Sequence, residues 1–432
     1  MFGTSGIRGI YGRDITEELA MKVAAIFADK TLVVGRDIRG SGIPLSQAVT
    51  AGALSVGADV IEAKIVPTPT LALATSMHSC RGMVVTASHN PPEYNGLKLI
   101  EKGKEIGKDM EKTIQEEYKK KYVPGKHVGK IIHGNDIVEK HKEMVISMVD
   151  ADSIRRKRPK VIVDSNGSAA VITPSLLSEL GCEVTSINSS LERFSRPSEP
   201  SKENLSHLAG LVKESKADFA IAHDGDGDRC AIVDDTGEML PLDVQLAMMI
   251  EHEVSLSSNK KIVSTVEASL VIREVVENAG GTIEITPVGS TYVGDALEQG
   301  KAAFGGEPCG EYVYSKGVHV PDAVLAAAKF TEIFCRKGKF SELKQKYRQY
   351  PMAREKFTAK DKHAVVEKVK KAISIKGKMR TDDGIRVDEE GGWFLIRASG
   401  TEPIVRLTME YKTEERLEAR KAQLKGIIEK NI

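Results

Sequence analysis

Three aspartates at alternate positions stand in the run His223-Asp224-Gly225-Asp226-Gly227-Asp228-Arg229. Carboxylates so close repel one another unless something compensates their charge. The intervening glycines let the backbone curl until the oxygens face one point. A hard divalent cation is the natural occupant, and Mg²⁺ favours a few carboxylates completed by phosphate or water. An EF-hand does not fit: its sixth loop position would be Arg229 instead of glycine, and its twelfth Asp235 instead of glutamate. An acidic surface turn needs only one Asp and one Gly.

A second reactive candidate is the hydroxyl of Ser88, in Thr86-Ala87-Ser88-His89-Asn90-Pro91-Pro92. The apolar run Met83–Val85 reads as a buried strand, and the two prolines forbid helix or further ladder pairing. Ser88 therefore sits on an irregular loop past a strand's carboxyl end, where open α/β sheets bind ligands. The local pattern is A-S-H, so the G-x-S-x-G elbow of a Ser/His/Asp hydrolase is absent.

Two further loops have compositions that suit anions or sugars. Arg397-Ala398-Ser399-Gly400-Thr401-Glu402-Pro403 offers hydroxyls, an open backbone N–H and an arginine, which suit a phosphate oxyanion. Ser-Gly is equally common in hairpin turns. Gly305–Tyr312 carries Glu307 and Glu311 on a glycine-flexed hairpin, suited to sugar hydroxyls or to a plain turn. Gly3–Gly9 reads as an anion nest or a glycine-rich lead-in. His89, Lys98, His223 and His319 have no metal-ligand spacing. Cys309 has no histidine near it and is a poor nucleophile candidate.

The elements that carry these loops repeat. Thr31–Val34, a helical run, Gly57 and Ala58–Glu62 form a strand–helix–strand unit. Val161–Val163, a helix over Pro174–Leu180, Gly181 and Cys182–Ile187 form another. Ile262–Ser264, a helix over Leu270–Asn278, Gly280-Gly281 and Thr282–Ile285 form a third. Each glycine falls where a helix ends in a left-handed residue. Such units predict largely parallel sheets flanked by helices. The expected fold class is α/β, with three repeated mixed-sheet domains over 1–150, 151–245 and 246–350. The tail differs: Trp393–Arg397 and Val405–Tyr411 read as strands around a turn, and Glu414–Glu429 as a charged helix. Residues 351–432 are expected to form a smaller α+β domain.

Composition narrows the function classes. The 432 residues carry a net charge of +1, with 41% hydrophobic and 28% charged residues, ordinary for a globular chain with several cores. No overall field favours nucleic acid or an anionic membrane. The clusters Lys119–Lys121 and Arg155–Arg158 lack interleaved aromatics and read as solvated surface. Five scattered cysteines without a CxxC pair suit a reducing compartment. No apolar run spans a membrane and the N-terminus lacks a signal h-region, so the expected location is the cytoplasm.

In this order and at these separations, FGTSGIRG, TASHNPPEYNGLK, DGDGDR, GEPCG and RASGTEP resemble the α-D-phosphohexomutase family over the whole chain. The resemblance implies four domains around a central cleft. It implies that Ser88 carries a phosphoryl group and that Mg²⁺ is held by Asp224, Asp226, Asp228 and a Ser88 phosphoryl oxygen. Arg397, Ser399, Gly400 and Thr401 would hold the substrate's non-reacting phosphate, while Glu307 and Cys309 would meet sugar hydroxyls. Lys98 matches a lysine of proton transfer, and Arg8, His89 and Arg229 match positions beside the phosphoserine. The implied partners are a hexose phosphate and its 1,6-bisphosphate. The family's sugar loop commonly runs G-E-x-S-G-H, whereas this chain has Cys309 and Glu311 at the last two functional positions. Val288-Gly289-Ser290-Thr291-Tyr292-Val293 and the S-G-T-E-P form resemble phosphoglucosamine mutases more than glucose- or mannose-specific branches. A phosphatase sharing the serine and metal, or a non-catalytic sugar-phosphate sensor, are the rival readings.

Overall fold

The computed structural model describes residues 1–3, 5–374, 377–400 and 403–432. Its first three sheets share one strand order. In the first, Thr31–Arg36 lies between Asp59–Ile65 and Arg81–Val85, all parallel, and Tyr94–Glu101 returns antiparallel beside Arg81–Val85. Lys160–Asp164, Glu183–Ile187, Phe219–His223 and Cys230–Val233 repeat this order, and so do Lys261–Thr265, Thr282–Thr286, Phe304–Glu307 and Glu311–Tyr314. The first sheet adds Ile7–Ile10 at one edge and Ile131–His133 at the other. Ile7–Ile10 is thus a ladder-paired strand where the sequence reads as a nest.

The joints behave as their glycines require. Gly57, Gly181 and Gly280 take φ of 89°, 97° and 67°, left-handed values that reverse the chain out of a helix and into the next strand. In every unit the third strand turns back as a hairpin into the fourth. The Ser88 loop, the acidic loop and the Glu307–Glu311 turn are therefore one topological position used three times.

One continuous core fuses the second and third units. Phe219 of the second sheet packs on Phe334 and Phe340 with ring centroids 5.2 Å from each. Aromatic pairs of this geometry add about 1 kcal/mol each beyond their buried area. The helix Ala323–Lys337 that carries Phe334 is buried over nearly its whole length and serves both sheets. Its N-cap Asp322 also lies 3.0 Å from His141 Nε2, while His141 Nδ1 lies 2.7 Å from Thr70 Oγ1 in the first domain. The helix Leu242–Ser255 packs against Leu270–Asn278.

The fourth sheet is five-stranded and antiparallel, in the order Met352–Thr358, Ile404–Tyr411, Gly392–Ala398, Ile385–Glu389, Gly377–Arg380. Val405, Leu407 and Met409 bury one face with Lys362–Ala372 and Glu414–Glu429. The other face lays Trp393 and Leu395 on Val266 of the third domain. Two of these strands are invisible to a hydrophobic-alternation reading. Met352–Thr358 and Gly377–Arg380 are the sheet's edges and are rich in exposed charge.

Candidate active site

Ser88 is held in an uncommon backbone conformation. Its φ is 52°, in the left-handed region that non-glycine residues enter at a cost of about 1–3 kcal/mol. The surroundings over-determine it. Ser88 N–H donates to Thr86 Oγ1 at 2.9 Å, and its carbonyl accepts from Arg39 Nη2 at 2.7 Å and Ser198 Oγ at 3.0 Å. Arg39 also donates to the carbonyls of Asn90 at 2.8 Å and Pro91 at 2.6 Å, and its Nε to Asp37 at 3.0 Å. Asp37 accepts from Thr86 Oγ1 at 2.7 Å. Burial pushes the Asp37 carboxyl up, against the pull of Arg39. Arg39 thus ties the whole turn to the end of the neighbouring strand.

The acidic loop meets this turn across the domain boundary. Ser88 Oγ donates to Asp224 Oδ2 at 2.9 Å. A Cβ at Gly225 would stand 2.8 Å from the Ser88 carbonyl oxygen, so only glycine permits the approach. Asp224 Oδ1 accepts the backbone N–H of Asp228 at 3.2 Å and of Arg229 at 3.1 Å, which curls the loop. Thr68 clamps Asp226 twice: its Oγ1 donates to Oδ2 at 2.6 Å and its N–H to the carbonyl at 2.8 Å.

Asp224, Asp226 and Asp228 each place one carboxylate oxygen within 4.8 Å of the others. Asp226 Oδ1 and Asp228 Oδ1 are buried with no hydrogen-bond partner. Buried acceptors left open are rare, and an all-oxygen set of this spacing fits a hard divalent cation.

The cluster's charge is partly met by Lys98, whose Nζ lies 2.8 Å from Asp226 and also pairs with Asp228. Burial alone would lower the Lys98 pKa, but Asp226, Asp228 and Glu105 together raise it. Asp224 is pushed well up, first by burial and then by Asp228 and Asp226. Burial pushes Asp226 up, but Lys98, Thr68 and Arg8 together hold it below the usual carboxylate range. His89 is driven down to about 2 by Arg229, by burial and by Arg8, and is a neutral imidazole. Its Nδ1 is 3.4 Å from Ser88 Oγ. Arg8 Nε is buried without a partner. Burial takes His223 down to about 4.

Glu307 and Cys309 come from the corresponding turn of the third domain. Glu307 Oε2 accepts the Gly289 N–H at 3.3 Å. Its carboxyl is raised well above the usual range by burial, then by Glu311 and Glu267. Burial, with Glu311, raises the Cys309 thiol as well, so it is no thiolate nucleophile. Cys309 lines a cavity of about 350 Å³ with Arg229, Glu267, Glu199, Arg354 and Lys356, between the last three domains.

The described residues of the Arg397 loop make contacts within the fourth domain and, through Asp383, with the third. Arg397 Nε donates to Asp383 at 2.8 Å, and Asp383 accepts the Val288 N–H of the third domain at 3.0 Å. Arg397 lines a second recess of about 190 Å³ with Asp383, Gly384 and His363. Ser399 is buried and accepts at its carbonyl from Lys362. Gly400 is exposed, and Thr401 lies outside the described residues. Ser88, His89, Lys98, Arg8, Arg229 and the three aspartates thus converge, Glu307 and Cys309 adjoin them, and the phosphate-type loop belongs to the fourth domain.

Asp37, Arg39, Thr68 and Ser198 escape a motif reading. The charged pair in Gly35-Arg36-Asp37-Ile38-Arg39-Gly40, at a strand's carboxyl end, is the available signal for Asp37 and Arg39. Thr68 and Ser198 have none.

Four family domain profiles match in order. These are phosphoglucomutase/phosphomannomutase alpha/beta/alpha domain I over residues 1–123, domain II over 139–237, domain III over 243–350, and the C-terminal domain over 352–427. A probable phosphoglucosamine mutase of Methanosarcina barkeri is 39% identical, covering 95% of each chain. A phosphoglucomutase/phosphomannomutase of Thermococcus kodakarensis is 36% identical over 96% of this chain and 95% of its own. The crystal structure of a phosphoglucomutase/phosphomannomutase family protein from Burkholderia thailandensis superposes with a TM-score of 0.88 at 24% identity, covering 99% of this chain and 97% of that one. The chain belongs to the phosphoglucomutase/phosphomannomutase family, the α-D-phosphohexomutases, and is an enzyme of that family.

Proposed function

We propose that this phosphohexomutase interconverts glucosamine 6-phosphate and glucosamine 1-phosphate, with Ser88 as the phosphoryl carrier and mannose or glucose phosphates as the second choice. The observation that carries the reading is the 2.9 Å contact of Ser88 Oγ with Asp224, which brings a hydroxyl from one domain to an acidic cluster of the next. The relatives named as phosphoglucosamine mutases support the sugar assignment.

Phospho-Ser88 gives its phosphoryl group to the free hydroxyl of the bound sugar phosphate, leaving a 1,6-bisphosphate. The bisphosphate turns over in the cleft, and its other phosphate returns to Ser88. A phosphoserine is mostly dianionic at neutral pH, with a second pKa of about 6, and repels an incoming phosphate. Arg8 and Arg229 offset that charge. Mg²⁺, held by Asp224, Asp226, Asp228 and a Ser88 phosphoryl oxygen, would neutralise charge on the transferring group. Lys98 serves proton transfer as an ammonium: it gives a proton to the departing serine oxygen and is restored by the proton of the attacking sugar hydroxyl. His89, neutral, packs beside the serine without adding charge. Glu307 and Cys309 receive sugar hydroxyls, and Arg397, Ser399, Gly400 and Thr401 hold the distal phosphate. Closure of the fourth domain excludes the water that would hydrolyse the phosphoenzyme. Catalysis by positioning and electrostatics explains why a serine outside a Ser/His/Asp constellation suffices.

Among the described residues no helix is long and apolar enough to cross a membrane and no cysteine is in a disulfide, which supports a cytoplasmic setting. Phosphorus NMR of glucosamine, mannose and glucose phosphates incubated separately with enzyme and Mg²⁺ tests the reading. Interconversion of the 6- and 1-phosphates, fastest with glucosamine, is expected. Inorganic phosphate released as fast as substrate disappears would establish a phosphatase instead.

A further inference from the structure

The turn of the third domain and the acidic loop of the second are joined by more than proximity. Arg229 and Glu311 form an antiparallel bridge, and Cys230 N–H donates to the Gly310 carbonyl at 3.0 Å. Gly310 has φ of +90°, and a Cβ there would meet the Cys230 carbonyl oxygen at 2.9 Å. Glycine therefore permits the two turns to close on each other. Across this seam Glu311 Oε1 accepts from Arg229 Nε at 3.1 Å and lies 2.9 Å from Nη2 in an ion pair. Both side chains are largely shielded, at 15% and 11% exposure, so the pair is not a solvent-screened surface contact.

The pairing has a direction. Arg229 N–H is bound to Asp224, the same carboxylate that accepts from Ser88, and its side chain lines the 350 Å³ cavity beside Cys309. Both Arg229 nitrogens that face Glu311 converge on one oxygen. The guanidinium's Nη1 and one hydrogen of Nη2 are not engaged by Glu311. Glu311 itself is not among the residues that line the cavity. A carboxylate placed behind an arginine, at the edge of a phosphoryl-transfer centre, sets where that arginine's remaining donors stand.

We propose that Glu311 is a positioning residue for phosphoryl transfer: it holds the Arg229 guanidinium at the seam between the acidic loop and the sugar loop, so that its free donors meet the transferring phosphoryl group. The proposal rests on the mutase reading above. It also gives the carboxylate at this position a task besides sugar binding, because its Oε1 is spent on Arg229. Occupation of the sugar loop is thereby linked to the phosphoryl centre through a single charged pair.

The test is a double-mutant cycle on the full chain, with Mg²⁺ and the hexose phosphate that the wild type turns over fastest. Its members are the wild type, Glu311→Gln, Arg229→Lys and the double variant. Glu311→Gln keeps shape and loses charge, and is expected to lower kcat about 10- to 100-fold, the usual cost of losing a partner that orients a functional group, with KM little changed. Arg229→Lys is expected to lower kcat as well, and the double variant to fall no further than Arg229→Lys alone. Glu311→Asp, which retains the charge on a shorter stem, is expected to recover part of the loss. A wild-type kcat for Glu311→Gln, or a double variant whose loss equals the product of the single losses, would overturn the proposal. Should Glu311→Gln fail to fold, Glu311→Ala takes its place in the cycle, and a wild-type kcat or a multiplicative double loss overturns the proposal in the same way. A wild type that interconverts no hexose phosphate would refute the mutase reading itself, a separate result.

Discussion

Lys98 Nζ lies 2.8 Å from Asp226 Oδ2, and both side chains are almost wholly shielded from water. One buried ammonium therefore faces a cluster of three buried carboxylates and compensates only part of their charge. Lys98→Met should lower turnover by about 100-fold or more, through loss of proton transfer. It should also destabilise the metal-free protein by about 3–5 kcal/mol, the cost of breaking a buried ion pair. Mg²⁺ should close much of that gap. Melting curves in chelator and in excess Mg²⁺ check both effects; equal curves for variant and wild type in chelator would contradict this account.

Asp226 is held in place by Thr68 and Lys98. Asp226→Asn should shift the Mg²⁺ activation curve to higher concentration and lower maximal activity together. An unchanged metal titration would remove the acidic loop from metal binding.

Arg39 spends its donors on Asp37 and on the carbonyls of Ser88, Asn90 and Pro91. Arg39→Ala leaves Asp37 buried and unpaired and should cost about 3–5 kcal/mol by denaturant titration. Because it releases the left-handed Ser88 backbone, kcat should fall even at temperatures where the variant is folded. A folded Arg39→Ala with wild-type kcat would show that the turn needs no such tether.

Glu410 joins the third and fourth domains, accepting the Leu270 N–H at 2.7 Å and Trp393 Nε1 at 2.7 Å. Burial raises its pKa from 4.5 to about 7, against those two hydrogen bonds. The folded protein thus binds this proton more tightly than the unfolded chain. The group's contribution to stability is fully present below about pH 4.5 and is lost as pH rises through 7, by roughly 3 kcal/mol. Glu410→Gln keeps an acceptor for both donors and should flatten the fall in melting temperature between about pH 5 and about pH 8. An unaltered slope would assign that fall to other groups.

Much of the fold was legible because it is written in local signals. The helices Leu270–Asn278 and Glu414–Glu429 begin and end where their apolar spacing and glycine or charge boundaries indicate. Gly57, Gly181 and Gly280 mark the same reversal three times. The acidic loop and the Ser88 turn were legible because each is contiguous, with its chemistry concentrated in a few neighbouring residues. What stayed hidden is long-range. Arg39 reaches carbonyls about fifty residues away, Thr68 meets Asp226 across 158 residues, and Glu311 meets Arg229 across 82. Such partners are ordinary polar residues in sequence, and only the shared hairpin position of the three loops brings them together. The edge strands of the fourth domain were hidden for another reason: half-exposed strands mix charge into the alternation that identifies a strand.

Intact mass spectrometry of the purified protein, with peptide mapping, tests the centre of this account most directly. The predicted result is a population heavier by one phosphoryl group, carried on Ser88 and absent from a folded Ser88→Ala variant that no longer turns over. A Ser88→Ala protein that interconverts hexose phosphates at the wild-type rate would contradict it.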